Sequence, residues 1–223
     1  MAKSKPRLFT YIVRVDDGAA PNPFHGMCTL AICKPRIRSV AKVGDWVAGV
    51  GGMYAASGNL SKKLIYAMRV EEVVTLQDYD TRAQKEWPHR IPDVTSLDLA
   101  TRLGDCIYYD FGGIKPRQRL SVHGKSNIDT DVGGKNVLIS KEFYYFGSRA
   151  IPLPKKLHEI CPVTQGHRSN KNEPFVDSFV SWLRGQKYQP GQLYGWPGHI
   201  IDWANIEACG GCEIRSKDEE GEC

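Results

Sequence analysis

Between Leu8 and Gly52 the chain reads LFTYIVRVDDGAAPNPFHGMCTLAICKPRIRSVAKVGDWVAGVGG. Three short apolar runs are separated by residues that interrupt regular structure. Asp16-Asp17-Gly18, Pro21-Asn22-Pro23 and His25-Gly26 crowd into the first gap, and Lys34, Arg36, Arg38 and Lys42 fill the second. Runs this short, rich in β-branched and aromatic residues and bounded by Gly, Pro and Asp, predict strands. They are expected over residues 8–15, 27–33 and 42–50. Gly44-Asp45 reads as a turn that delivers Trp46 and Val47 into a sheet. Gly49, Gly51 and Gly52 mark a bend or a close backbone approach. A loop so dense in polar and conformationally special residues is where a rigid scaffold usually carries function.

The rest of the chain continues the pattern. Residues 62–76 are predicted as a strand bent near Arg69, and Asp78–Trp87 as a helix ended by Pro88. Gly104-Asp105 repeats the Gly-Asp start before Ile107-Tyr108-Tyr109. Val137–Ile139 and Phe143–Phe146 read as strands, and Ile151–Pro154 as extended chain. Phe175, Val176, Phe179, Val180 and Leu183 have helix spacing, with Asn172 as the expected cap and Gly185 as the stop. Six or more short strands with helices at the sides predict an α+β fold whose curled mixed or antiparallel sheet closes, or nearly closes, as a small β-barrel. Residues 1–200 are expected to form one domain. Residues 201–223 form a C-terminal extension whose end is expected to be disordered.

Charge is unevenly distributed. Residues 1–42 carry eight Lys/Arg against two Asp, and residues 113–156 carry nine against three acidic residues, a net +6 each, while residues 43–112 are net −3. If the fold joins the two basic segments, they form a face that attracts phosphates. The chain has no run of about 18 apolar residues, so no membrane helix is expected, and MAKSKPRLFT lacks the apolar core of a signal peptide. A cytoplasmic location with reduced thiols follows. The seven cysteines then read as thiols or metal ligands rather than disulfides. Cys209-Gly-Gly-Cys212 has the spacing of half a zinc knuckle. No second tight pair exists among Cys161, Cys223, His167 and His199, so no metal is expected. Cys28 and Cys33 fall on opposite faces of a strand and its exit. Cys28, near His25 in sequence, is a weak nucleophile candidate.

Several stretches resemble one family: VDDGxAPNPFxG, CTLAxCKPxIR, GDWVxGxG, GDxIYY, and VLISxxFYYFG followed by IPLP. Together they resemble the second nucleotide-modification-associated domain family over roughly residues 8–200. The GDWV and YFG pieces are also similar to PUA-like barrels, including EVE and ASCH domains, which read a base in a deep pocket of a curled sheet. The resemblance implies a PUA-like barrel that works on nucleotides or modified bases. It transfers no catalytic residue and implies no cofactor.

A base pocket needs an aromatic wall and polar groups matched to a base edge. Trp46, Tyr109 and Tyr144 are the expected walls, Asp17 and Asn22 the expected readers, and Lys34, Arg36, Arg38 and Lys125 the expected phosphate contacts. Trp46 and the Asp17–Asn22 turn are expected to share one pocket. Each residue also has a plainer role: core aromatic, turn residue bonding its own backbone, or surface charge. Lys125 lies in the loop from His123 to Lys135, which lacks the Walker spacing. The expected partner is a nucleic acid or nucleotide, bound by a module that recognises a base, with a modified base favoured. A base-modifying enzyme using Asp17, Cys28 or His123, and a scaffold in a modification or defence complex, stay open alternatives. The sequence leaves the oligomeric state open.

Overall fold

The computed structural model describes residues 5–55, 58–164 and 166–199. In chain order its elements are β1 (Leu8–Val13), β2 (Cys28–Leu30), α1 (Pro35–Val40), β3 (Trp46–Gly51), β4 (Lys63–Arg69), β5 (Glu72–Thr75), α2 (Leu76–Lys85), α3 (Leu99–Arg102), β6 (Tyr108–Tyr109), β7 (Arg117–Gln118), α4 (Ile128–Gly133), β8 (Asn136–Ser140), β9 (Phe143–Tyr145), β10 (Ile151–Pro152), β11 (His167–Arg168), α5 (Val176–Arg184) and β12 (Gln192–Leu193). The expected bend near Arg69 separates β4 from β5, and the three helices α1, α3 and α4 were not expected.

A mixed seven-stranded sheet runs β11-β1-β3-β4-β9-β12, with β10 added beside β4, and an antiparallel three-stranded sheet runs β2-β8-β5. The chain crosses between the two sheets four times, from β1 to β2, from β2 to β3, from β4 on to β5, and from β8 to β9. The fold is therefore α+β, but the expected barrel does not close among the described residues. Sheet ends β11 and β12 pair two residues each with their neighbours, and no pairing joins one end to the other. Barrel closure needs continuous tilted strands around the whole ring.

β1 and β3 pair in parallel, Leu8 opposite Trp46 through Val13 opposite Gly51. Parallel neighbours need a long crossover, a dozen residues or more. That crossover is residues 14–45, and it holds β2, α1 and the breaker-rich turn. Asp45 fixes its end: its carboxylate accepts from Arg7 N at 2.8 Å, Lys42 N at 2.9 Å and Arg7 Nη2 at 2.7 Å. Gly44, at φ +96, makes the turn before it. At Gly49 a Cβ would overlap the Tyr66 ring and Val13, and the β3–β4 register shifts between Gly49 and Val50.

β3 is buried along its whole length. One side of the large sheet packs Phe9, Tyr11, Met68 and Tyr145 against Leu30, Ile37 and Leu138. The other packs Trp46, Leu64 and Phe146 against Phe179 and Leu183 of α5. Gly185 ends α5 as expected, but Asn172 does not cap it. The buried Asn172 amide donates to Leu8 O at 3.0 Å and Thr10 Oγ1 at 2.9 Å, tying the approach to α5 onto β1, and Phe175 takes the cap position.

Candidate functional site

The expected base readers lie apart from one another. Trp46 is 2% exposed and packs edge-on against Phe179 at 6.2 Å, with the Arg184 guanidinium 5.7 Å from its ring. Tyr144 is buried in the same core. Tyr109 is half-buried on β6 beneath Arg119 and Arg117, at 4.5 and 5.3 Å. Asp17 accepts from Ala19 N at 2.9 Å, the short-range turn bond such residues favour. Buried Asn22 donates to Leu103 O at 2.7 Å and accepts from Arg90 Nη1 at 2.6 Å. Arg90 also binds Thr29, Phe24 O and Met27 O, in a network that includes Asp105 of the second Gly-Asp pair. Trp46 thus packs in the core against α5, whereas Asn22 sits in the Arg90 network, and these contacts have no residue in common.

The expected phosphate contacts divide likewise. Arg38 is fully buried, donating from Nε to Cys33 O at 2.7 Å, from Nη1 to Asn136 O at 2.8 Å and from Nη2 to Asp131 O. Lys125 is exposed at the start of a 3-10 turn, Lys125–Asn127. Lys34 and Arg36 face one cavity of about 600 Å3.

That cavity lies between α1, α4, the turn after β3 and residues 163, 164, 166 and 167. Arg14, Lys34 and Arg36 supply positive charge, and Met53, Tyr54 and Val163 supply apolar surface. Tyr54 is 93% exposed and Val163 92% exposed. Asp129 brings a carboxylate, ion-paired to Lys115. His167 also lines the cavity; burial, reinforced by Arg36, holds its pKa below the usual histidine value. Segments 1–42 and 113–156 meet here through α1 and α4, but among the described residues the second brings Asp129, Thr130 and Gly133 to the cavity and no basic side chain. Sequence reasoning found Lys34 and Arg36 but missed Tyr54, which sits outside any charged or motif-like run.

Directly behind this wall lies a buried polar cluster. Cys33 precedes the cavity residues Lys34 and Pro35, and Asp131 follows Asp129 and Thr130. Cys33 Sγ is 3.5 Å from His123 Nε2, and His123 Nδ1 is 2.6 Å from Asp131 Oδ2. Asp131 also accepts from Cys33 N at 2.7 Å and Tyr108 OH at 2.9 Å. Burial alone disfavours the imidazolium, but Asp131 and Cys33 outweigh it and push the His123 pKa up to about 10. For Asp131 burial acts upward, yet His123, the Cys33 amide and Arg38 leave its pKa below the usual carboxylate value. The three side chains are metal-ligand types, with ligand atoms within 4.8 Å of one another. The two nitrogens of His123 face different partners, Nε2 the Cys33 sulfur and Nδ1 the Asp131 carboxylate, an arrangement that can also pass a proton between them. The Cys209–Cys212 pair and the C-terminal extension lie outside the described residues.

A family model described as nucleotide modification associated domain 2 matches residues 5–205. No curated protein and no solved structure matches the chain.

Proposed function

The chain belongs to the nucleotide modification associated domain 2 family, and on that premise we propose that it binds a nucleotide in the cavity between α1 and α4. Arg14, Lys34 and Arg36 hold the phosphate, and Tyr54 with Met53 offers a face to the base. A modified base, in a strand or as a free nucleotide, is the favoured ligand within a modification or defence context. The observation that carries the reading is one cavity of about 600 Å3 in which three basic side chains stand beside an exposed tyrosine. Small-ligand sites commonly enclose about 300–1,000 Å3. Phosphate contacts supply affinity, and stacking on an aromatic face adds roughly 1–3 kcal/mol per base. In this reading a groove beside a curled sheet performs the task that the barrel mouth performs in PUA-like domains.

Equilibrium binding of nucleoside monophosphates and short single strands, repeated over a salt series, tests this. Arg36→Ala should weaken binding to every base alike and flatten the logarithmic salt slope for single strands by about 0.7. Tyr54→Ala should weaken binding by roughly tenfold or more at unchanged salt slope. Binding that neither substitution alters would place the site elsewhere.

A further inference from the structure

We infer that Cys33, His123 and Asp131 form a nucleophile, base and orienting carboxylate that attack a nucleotide held in the neighbouring cavity. The substrate rests on the nucleotide reading above; the relay rests on its own geometry. His123 Nε2 faces the Cys33 sulfur at 3.5 Å, and its Nδ1 faces the Asp131 carboxylate at 2.6 Å. That is the order of groups by which a thiol is activated on many unrelated folds. Asp131 bonds the ring nitrogen that is not the one facing the sulfur. It is a positioning residue, itself held by the Cys33 amide and the Tyr108 hydroxyl.

The backbone supports the same assignment. Cys33 and Lys34 take φ values of +57 and +43, two successive non-glycine residues in the left-handed region. Such strain persists only where the surroundings impose it, and it collects at functional sites. Here it turns the thiol toward His123 while the next residue enters the cavity wall. Burial drives the Cys28 thiol pKa well up, and raises that of Cys161 to about 11. Among the described cysteines, Cys33 is the one bonded to an imidazole. With Arg38 and Asp131 alongside, a thiolate–imidazolium pair leaves the cluster electrically balanced.

The chemistry fits an unsaturated carbon electrophile, and the nucleotide group of that kind is the C5=C6 bond of a pyrimidine conjugated to its carbonyl. The thiolate forms an S–C bond at C6. The C5=C6 π bond breaks, its electron pair moves to C5, and the proton on His123 Nε2 is delivered there. Reversal returns thiolate, imidazolium and pyrimidine, so the step needs no further reagent. In deuterated water the adduct carries one deuterium and one hydrogen at C5; solvent water takes the hydrogen, its bonding pair re-forms the C5=C6 bond as the thiolate leaves, and the C5 hydrogen is exchanged.

Iodoacetamide labelling mapped by peptide mass spectrometry tests the relay. At about pH 6.5 a neutral thiol is nearly inert, so Cys33 should label faster than the more exposed Cys161. His123→Ala should slow Cys33 labelling by about tenfold or more, and Asp131→Asn should move its pH profile upward. The thiolate ultraviolet absorbance of the native protein, lost in Cys33→Ser, gives the same answer should either variant fail to fold. Cys33 labelling no faster than Cys161, or unaffected by His123→Ala, would overturn the relay. Deuterium uptake at C5 of uridine or cytidine monophosphate, absent in Cys33→Ser, is the expected activity. A reactive Cys33 with no uptake would overturn the pyrimidine step. If these nucleotides also fail to slow labelling, the cavity reading fails while the relay stands.

Discussion

Asp16 is a carboxyl group held where a carboxylate is poorly accommodated. Burial raises its pKa and outweighs the bonds from Tyr145 OH at 2.5 Å and Gly198 N at 3.2 Å, leaving it at about 6 against an ordinary 3.8. The native state therefore binds this proton more tightly than the unfolded chain. Its contribution is full below 3.8 and is lost as the pH rises through about 6. The difference across that window is on the order of 2–3 kcal/mol. Urea unfolding of Asp16→Asn should show a variant that gains stability relative to the native protein as the pH climbs through the window. Parallel pH profiles would show that Asp16 does not titrate in this range. Arg36 and Arg38 carry a second residue-scale lesson. Both read as one basic patch in the sequence, yet residues two apart on a helix point to different sides. Arg36 is exposed at the cavity and Arg38 is enclosed by carbonyl oxygens. Charge was legible; which charge faces solvent was not, because α1 was not.

The elements that build the site are short, which is why they were hard to foresee. α1 and α4 have six residues each, too few to show a helical period. Their packing depends on one glycine. A Cβ on Gly134 would overlap the Arg38 guanidinium, with Nη2 2.6 Å away, and Arg38 is held by three bonds and has nowhere to go. Gly134→Ala should cost roughly 1–3 kcal/mol, as overpacking does. Gly133→Ala meets nothing within 4 Å and removes a glycine from a helix, so it should be neutral or slightly stabilising. Thermal melts of the two variants check this, and equal melting temperatures would contradict the packing. The Gly133-Gly134-Lys135 run, which ends the loop that carries Lys125 in the sequence, thus has a packing role at its second position.

At the scale of the molecule, the long apolar runs were readable and their partners were not. β1, β3, β4, β8 and β9 follow from clusters of β-branched and aromatic residues. Closure into a barrel does not follow, because it depends on pairing between chain segments far apart in sequence. The site fails to appear in the sequence for the same reason: Cys33 lies 90 residues from His123 and 98 from Asp131. The parallel pairing of β1 with β3 forces the crossover that carries Lys34 and Arg36, and α4 closes on it from the other basic segment. In the proposed function this junction is where a nucleotide sits. Hydrogen–deuterium exchange with and without a mixture of ribo- and deoxyribonucleoside monophosphates measures that directly. Slowed exchange is expected at residues 34–40, 52–55 and 163–167, with the amides around Asn22 and Trp46 unchanged. Protection confined to the Asn22 turn and β3, or no protection anywhere, would contradict it.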